Sequence, residues 1–266
     1  MSNVMLKVDD LHVAYGQSEA LHGISFEGYA NETVAIMGRN GMGKTTLFKS
    51  LMGVLPIKSG SISVAGKDVS RDESYVRVAK GIAYVPQGRM VFPTLTVEEN
   101  IQTGLENSKT RQIPEEIYAL FPVLWDMKRR KGGNLSGGQQ QQLAIARALV
   151  TDPKVLLLDE PTRGIDVGAK GEIFALLFRE ATKGLAVLYV TSEVGEALTA
   201  SHRIIVMSKG RMVRELDPRT TTRDEIMAAS GEHESAAHSK GDDPLEPPRT
   251  APGHSPTTNS DKGARS

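Results

Sequence analysis

The sequence predicts an α/β fold with a helical insertion and a C-terminal segment of different composition. Three observations predict it. Short apolar segments alternate with segments of helical character, which is typical of a sheet flanked by helices. A long helical stretch interrupts this alternation after its second apolar segment. Beyond residue 232 the chain becomes polar and rich in proline, so it is predicted to lie outside the folded core.

Six segments have the composition of β-strands. The segment 155–158 is wholly apolar, as expected of a strand that is buried on both faces. The last two segments flank Ser208-Lys209-Gly210, which predicts a hairpin. The predicted strands are 32–37, 81–85, 155–158, 186–191, 203–207 and 211–215.

Capping patterns mark two helices of the insertion. Thr96 with Glu99, and Ser136 with Gln139, have the spacing of a capping box. The second helix is predicted to end before Pro153. The tail contains one large apolar side chain, Leu245, and cannot bury enough surface to offset its chain entropy. The predicted domains are a core made of 1–87 and 152–232, a helical subdomain at 88–151 and a disordered tail at 233–266.

Charge and composition exclude several classes of protein. The 266 residues include 32 Lys and Arg and 32 Asp and Glu, and this zero net charge disfavours non-specific binding to nucleic acid. There is no cysteine, which excludes a disulfide scaffold, thiolate-bound metals and thiol catalysis. The first residues lack the apolar stretch of a signal peptide, and no run approaches the ~18 apolar residues of a membrane span. Any crossing of a membrane is therefore expected to belong to another chain.

The most specific motif follows the first predicted strand. It matches G-x-x-x-x-G-K-[ST] and reads Gly38-Arg39-Asn40-Gly41-Met42-Gly43-Lys44-Thr45. Its glycines let backbone amides point at phosphate oxygens, and the predicted helix 45–52 adds its positive dipole end. We expect Lys44 to reach the β- and γ-phosphates, Thr45 to ligate Mg²⁺ and Thr46 to complete the cradle. The motif predicts a nucleotide site.

A pair of carboxylates follows the third predicted strand. Asp159 and Glu160 end an apolar segment, which places them at the carboxyl edge of the sheet, where open α/β folds bind ligands. We expect Asp159 to hold Mg²⁺ through water and Glu160 to polarise the attacking water. The sequence thus predicts a phosphate cradle and a catalytic base at one edge.

The segment Leu135-Ser136-Gly137-Gly138-Gln139 resembles the signature motif of ATP-binding cassette proteins. With the two preceding motifs in this order, the resemblance spans residues 4 to about 215. It implies a P-loop NTPase fold with a RecA-like core and an antiparallel β subdomain, and ATP hydrolysis with Mg²⁺. It also implies that two cassettes sandwich two ATP molecules, each between one chain's phosphate loop and the other's signature motif.

The resemblance assigns further positions. Tyr15 lies where the family has an aromatic residue that stacks on adenine. Gln87 matches the glutamine that senses Mg²⁺ and the γ-phosphate, and it opens the helical subdomain. Asp166 lies where the family has an aspartate that contacts the opposite cassette.

One position departs from the family. The usual γ-phosphate-contacting histidine is replaced by Ser192, which is followed by Glu193. We expect Ser192 to cap the helix through Glu196 and Leu198, and Glu193 to repel phosphate. This predicts slow hydrolysis at the chain's own ATP site and a faster site completed by its signature motif on a different partner. The expected assembly is a heterodimer of cassettes.

Two groups of segments resemble different branches of the family. The segments 38–43, 85–100 and 139–142 are similar to importers of branched-chain amino acids, urea and short amides. The segments 159–170 and 191–194 are similar to the second cassette of ribose-type sugar importers. The region after the glutamine motif contacts the membrane subunits in this family, and 266 residues accommodate one cassette. The resemblance therefore favours the amino-acid and amide branch, with a sugar importer as the alternative.

The resemblance also implies the surroundings of the protein. We expect a second ATPase subunit, integral-membrane permease subunits and, indirectly, a periplasmic solute-binding protein, with the chain at the inner face of the cell membrane. Nucleic acid is not an expected partner. Two other hypotheses are a soluble cassette of DNA repair or translation and a regulatory cassette of low turnover. The long coiled coil or second cassette of the first is missing from this sequence, and Glu160 argues against the second.

Overall fold

The structure is a computed structural model and describes residues 3–106, 108 and 110–231. The predicted tail at 233–266 and residue 232 of the predicted core lie outside the described residues. The strands are β1 (Val4–Tyr15), β2 (Ser18–Tyr29), β3 (Thr33–Met37), β4 (Ser59–Val64), β5 (Lys67–Asp68), β6 (Ile82–Val85), β7 (Val155–Asp159), β8 (Ala186–Val190), β9 (Arg203–Ser208) and β10 (Arg211–Leu216).

The helices lie mainly on one side of the larger sheet. They are α1 (Lys44–Leu51), α2 (Ser74–Ala79), α3 (Val97–Gln102), α4 (Glu115–Leu120), α5 (Pro122–Asp126), α6 (Gly137–Leu149), α7 (Val167–Ala181), α8 (Val194–Thr199) and α9 (Arg223–Ala229). Short 3₁₀ turns occur at Thr103–Leu105 and Gly132–Asn134. Across the described range, none of these helices combines the length and apolar character that a membrane crossing needs.

The larger sheet has six strands in the order β10-β9-β3-β8-β7-β6. Its strands are parallel except β10, which pairs with β9 in the predicted hairpin. Every residue of β3, β7 and β8 is buried, as the unbroken apolar segments predict. All six predicted strands are confirmed, and each lies in this sheet.

Alternate side chains of this sheet enter two cores. In β3, Val34 and Ile36 pack into one core with α1 and the smaller sheet. Ala35 and Met37 pack into the other core, which holds α3 to α9. The period of two along each strand therefore anchors helices on one face and a second sheet on the other.

The smaller sheet is antiparallel, with the order β2-β1-β4-β5. This is the β subdomain that the resemblance implied. The pairing of β1 with β2 shifts register between Val8 and Leu11, and Asp10 between them has a φ of 46°. This bulge adds one residue to β1 and shifts the sequence alternation, so that Leu11 and Val13 stay on the same buried face as Leu6 and Val8.

Both predicted capping boxes are present in the inserted segment. Thr96 caps α3 and Ser136 caps α6, each accepting from the amide three residues later and each with a reciprocal side-chain bond. Helix α6 ends at Leu149, before Pro153 as predicted. Helix α1 begins at Lys44, one residue earlier than predicted. The phosphate loop therefore lies at the start of α1, and the signature segment lies at the start of α6.

Candidate nucleotide site

The predicted phosphate loop is the turn that joins β3 to α1. Gly43 precedes α1 with a φ of 98°, and a Cβ there would lie 2.8 Å from Cδ2 of Leu21. A Cβ on Gly38 would lie 2.4 Å from the carbonyl oxygen of Met207. Neither position accepts a side chain, so both glycines are needed for the loop to pack against its neighbours.

Lys44 is buried inside this loop, where its side chain is folded towards the preceding turn. Its Nζ donates to the carbonyl oxygens of Gly38 and Arg39, at 2.5 and 2.9 Å. Burial lowers the pKa of Lys44, while Glu160 and Asp159 act in the opposite direction. The ammonium therefore lies between the loop and two carboxylates, where an anion would compete for it.

Asp159 is the last residue of β7 and is almost fully buried. The hydroxyl of Tyr84 donates to its Oδ2 at 3.3 Å. Burial raises the pKa of Asp159, and the nearby hydroxyls of Thr45 and Tyr84 lower it. Its Oδ1 is buried without a hydrogen-bond partner. An oxygen donor left open beside a threonine hydroxyl fits hydrated Mg²⁺, which prefers such ligands.

Glu160 adopts a backbone conformation that is unusual for its residue type. Its φ is 51°, a left-handed region that costs about 1–2 kcal/mol for a residue with a Cβ. Its amide donates to the carbonyl oxygen of Val190 at 3.1 Å, which ties the loop after β7 to the end of β8. Burial raises the pKa of Glu160, and Lys44 lowers it. Such a strained, perturbed carboxylate is typical of functional sites.

Ser192 contacts Glu160 and does not cap the following helix. Its Oγ donates to Oε2 of Glu160 at 3.3 Å. Helix α8 begins two residues later, after Glu193, and has no side-chain cap. The predicted cap is therefore wrong, because Glu193 and not Ser192 stands at the capping position, and the Ser192 hydroxyl bonds to Glu160. Glu193 itself accepts from Nζ of Lys170 at 2.5 Å, so its charge is paired.

A cavity of about 710 Å³ lies over the phosphate loop. It brings together most of the predicted loop residues with Tyr15, Gln87, Asp159 and Glu160. Half of the Tyr15 surface is exposed, and its hydroxyl lies 3.3 Å from Oγ1 of Thr46. The cavity can therefore present an aromatic face, an ammonium group and two carboxylates to one ligand. The predicted residues that line it are Tyr15, Asn40, Gly41, Gly43, Lys44, Thr45, Thr46, Gln87, Asp159 and Glu160.

Several predicted loop residues do not line this cavity. Gly38 and Arg39 border a neighbouring cavity that also contacts Ser192. The sulfur of Met42 accepts from the amide of Lys209 at 3.1 Å, so this side chain packs against the turn between β9 and β10.

Sequence reasoning missed other residues that line the main cavity. They come from β2, from the turn between β9 and β10, and from the loop after β7. No sequence motif identifies these residues, because they come close to the phosphate loop only when the chain folds. They include Glu19, His22, Arg163 and Lys209.

The signature segment lies on a separate surface of the same chain. Ser136 is exposed at the start of α6, and it does not line the cavity over the phosphate loop. A Cβ on Gly138 would lie 2.9 Å from Cβ of Ala169. Gly137 packs against the guanidinium of Arg89, and Gln139 closes the capping box. The start of α6 thus packs closely against the start of α7, where Asp166 is the capping residue.

The sequence profile described as "ABC transporter" matches residues 21–163. The match runs from β2 through the phosphate loop and the signature segment to the loop after Glu160, more than half of the chain. The chain belongs to the ATP-binding cassette (ABC) family. It is an ABC-type ATPase with a P-loop NTPase fold, and its cofactor is the adenine nucleotide that this family binds.

Two curated relatives match most of this ABC ATPase. It is 38% identical over 212 residues to the high-affinity branched-chain amino acid transport ATP-binding protein BraG of Pseudomonas aeruginosa, covering 79% of this chain and 91% of BraG. It is 34% identical over 245 residues to a protein of Pseudomonas fluorescens named as a ribose/galactose/methyl galactoside import ATP-binding protein. The second match covers 87% of this chain, which spans about half (47%) of that relative.

Solved cassettes share the fold. A nucleotide-free ATP-binding cassette from an ABC transporter superposes with a TM-score of 0.74 at 26% identity, covering 90% of this chain and 100% of that one. A dimeric bacterial ABC transporter cassette superposes with a TM-score of 0.72 at 27% identity, covering 82% of this chain and 100% of that one.

Proposed function

We propose that this chain is the ATP-hydrolysing subunit of an importer of branched-chain amino acids or of urea and short amides. The match to BraG supports this proposal most, because it covers 91% of that relative. The match to the sugar relative covers 47% of that relative.

The proposed chemistry uses the cavity over the phosphate loop. The loop amides and Lys44 bind the phosphates, and the exposed ring of Tyr15 stacks on adenine. Thr45, Asp159 and Gln87 would hold Mg²⁺, which would neutralise negative charge on the phosphates. Glu160 accepts a proton from the attacking water, and its raised pKa makes the carboxylate a stronger base for this role.

The remaining half of the nucleotide site comes from a second cassette in this proposal. The exposed Ser136 lies with Gly137, Gly138 and Gln139 at the start of a helix. The backbone amides there suit the γ-phosphate of an ATP molecule that is bound to the phosphate loop of the other cassette. The dimeric cassette structure among the relatives supports such an arrangement. The serine at position 192 supports a heterodimer, in which the partner's site turns over faster. Comparing the ATPase rate of the chain alone with that of the co-expressed pair tests this point.

The proposed assembly includes permease subunits at the inner face of the cell membrane and, through them, a periplasmic solute-binding protein. The loop after Gln87 supports contact with the permease, because Met90 and Phe92 expose 65% and 47% of their surface. Asn100 fixes this loop by accepting from the amide of Phe92 and donating to its carbonyl oxygen. Arg147 donates to the carbonyl oxygen of Met90 at 2.9 Å. These hydrogen bonds attach the loop to the helical subdomain, so that a movement of the subdomain can be transmitted to the permease.

A ribose-type sugar importer is the second candidate. The ion pair between Lys170 and Glu193 joins the two segments that resemble those importers. A regulatory cassette of low turnover has weaker support. Glu160, the proposed base, still lines the nucleotide cavity while it bonds to Ser192, so it remains in a position to act on water.

The test is to express the chain with the permease and binding-protein genes encoded beside it and to reconstitute the complex in vesicles. Vesicle ATPase is then measured with leucine, urea or ribose. Stimulation by leucine or urea is the expected result. Stimulation by ribose alone would transfer the protein to the sugar branch. A complex that hydrolyses ATP with no response to any solute would contradict an importer for these solutes.

A further inference from the structure

One buried carboxylate connects the two loops that carry Glu160 and Ser192. Oε1 of Glu196 accepts from the hydroxyl of Thr162 at 2.6 Å, and its Oε2 accepts from the hydroxyl of Thr191 at 2.6 Å. Thr162 lies two residues after Glu160, and Thr191 directly precedes Ser192. Each oxygen of a single carboxylate therefore fixes one of the two loops.

The same carboxylate is tied to a third element. Nζ of Lys170, in the second turn of α7, donates to Oε1 of Glu196 at 3.1 Å as well as to Glu193. Burial lowers the pKa of Lys170, but its hydrogen bonds with Glu193 and Glu196 outweigh this and raise it overall. The charge of Glu196, which is 8% exposed, is thereby paired inside the protein. Helix α7 begins directly after its capping residue Asp166, beside the signature segment.

These contacts fix the position of the loop that carries Glu160 relative to the loop that carries Ser192. The loop of Glu160 is linked directly to the loop of Ser192 by the bond from the Glu160 amide to Val190 and by the bond from Ser192 to Glu160. The bonds from Thr162 and Thr191 to Glu196 join the same two loops a second time. With these links formed, the backbone that carries Glu160 cannot shift relative to the backbone that carries Ser192 without breaking hydrogen bonds that are shorter than the contact between Ser192 and Glu160.

We propose that Glu196 is a positioning residue for ATP hydrolysis, which acts through Thr162 and Thr191 on Glu160 and Ser192. The proposal rests on the proposed role of Glu160 in the cavity over the phosphate loop. It concerns catalysis and not binding, because Glu196 and both threonines lie outside the nucleotide cavity. Loss of the network therefore lowers kcat and leaves nucleotide affinity in place.

The cleanest test uses Thr162, whose one side-chain hydrogen bond among the described contacts is to Glu196. Thr162→Val keeps the shape and removes the hydroxyl, whereas Thr162→Ser keeps the hydroxyl and removes a methyl group. In the purified transporter complex, the Val variant is expected to lose kcat by roughly 10-fold or more, since small misplacements of reacting groups cost up to ~100-fold. The Ser variant is expected to stay within about 2-fold of the wild type.

Glu196→Gln tests the same network from its centre, and Glu180→Gln on α7 is the matched control outside the cavity. We expect Glu196→Gln to lower kcat as Thr162→Val does, with the dissociation constant of a fluorescent ATP analogue within about 2-fold of the wild type. A Ser variant as slow as the Val variant would reduce the network to packing and overturn the proposal, as would a Val variant with wild-type kcat. If Glu196→Gln does not fold, the test rests on Thr162→Val and Thr162→Ser, and equal melting temperatures show that both of these variants are folded.

Glu160→Gln is measured beside these variants. If it hydrolyses ATP like the wild type, the proposed role of Glu160 fails, and with it the basis of the inference. If it abolishes hydrolysis while Thr162→Val does not change kcat, only the positioning role of Glu196 fails.

Discussion

The hydroxyl of Ser192 donates to the carboxylate of Glu160, with 3.3 Å between Oγ and Oε2. A serine thus occupies the position where the ABC family usually has a histidine, and it contacts the proposed base. The contact favours the ionised form of Glu160 and lowers the pKa that burial raises. The proposed base of this chain's own site is therefore oriented by a hydroxyl group where most of the family has an imidazole.

The first prediction is that Ser192→Ala lowers kcat without weakening ATP binding. A lost hydrogen bond of about 0.5–1.5 kcal/mol corresponds to roughly 2- to 10-fold. Steady-state phosphate release gives kcat, and a fluorescent ATP analogue gives the dissociation constant. Ser201→Ala, whose hydroxyl donates to the carbonyl oxygen of Ala197 outside the cavity, is the control and should keep the wild-type rate.

The same variant should shift the pH profile. Glu160 must be ionised to accept a proton, so activity falls as the pH drops through its pKa. Burial raises this pKa, and the Ser192 hydrogen bond lowers it, so removal of the hydroxyl raises it further. The acid limb of kcat is therefore expected at a higher pH in Ser192→Ala than in the wild type. An unshifted limb would show that Glu160 is not the titrating base.

The second prediction is that Glu160→Gln keeps ATP binding and stops turnover. Glutamine preserves the size of the side chain but cannot take a proton, and loss of a general base typically costs ~100- to 10,000-fold. The ATP-loaded closed dimer should then accumulate, because hydrolysis is what reopens it in the proposed cycle. Size-exclusion chromatography with ATP and Mg²⁺ measures this. A variant that stays monomeric with bound ATP would contradict the proposed sandwich.

The third prediction concerns the phosphate cradle. Lys44→Ala removes the buried ammonium that faces Asp159 and Glu160. A charge-assisted contact is worth about 1.5–3 kcal/mol, so the dissociation constant for ATP should rise by roughly 10- to 150-fold. Lys49→Ala, an exposed lysine on the same helix, is the matched control and should bind ATP normally. Equal losses in both variants would mean that general charge, and not the cradle, attracts ATP.

The central strands of the larger sheet were predictable because they are buried on both faces. Residues 155–158 need no partner to be recognised, since a parallel strand covered by helices is apolar throughout. The capping boxes at Thr96 and Ser136 were predictable for a similar reason, because their bonds span three residues.

The smaller sheet and the contact made by Ser192 were less predictable because long-range contacts decide them. The bulge at Asp10 breaks the alternation of β1, so its strand pattern was not recognised residue by residue. Ser192 lies close to the start of α8 in the sequence, but its hydroxyl bonds to Glu160, which is 32 residues away along the chain. Glu19 and His22 reach the cavity only through the fold of β2 around the phosphate loop.

The fourth prediction is that Arg77→Met destabilises the core through the end of the phosphate-binding helix. The buried guanidinium donates at 2.8 Å to the carbonyl oxygens of both Ser50 and Leu51, at the C-terminal end of α1. It also donates to the carbonyl oxygens of Ser70 and Asp72. Burial lowers the pKa of Arg77, so the native fold accepts a desolvation cost to keep this cation there. Its charge complements the negative end of the helix dipole.

Methionine fills the space but leaves these carbonyl oxygens without donors. At about 1 kcal/mol for each unmade bond, the loss of roughly 3–4 kcal/mol lowers the melting temperature by about 6–16 °C. Arg77→Lys should recover little of it, because one ammonium cannot replace a planar fork that reaches four acceptors. Arg71→Met, at an exposed position nearby, is the control and should melt like the wild type. A melting temperature that is unchanged in Arg77→Met would show that water replaces the guanidinium at no cost, and that α1 needs no cation at its end.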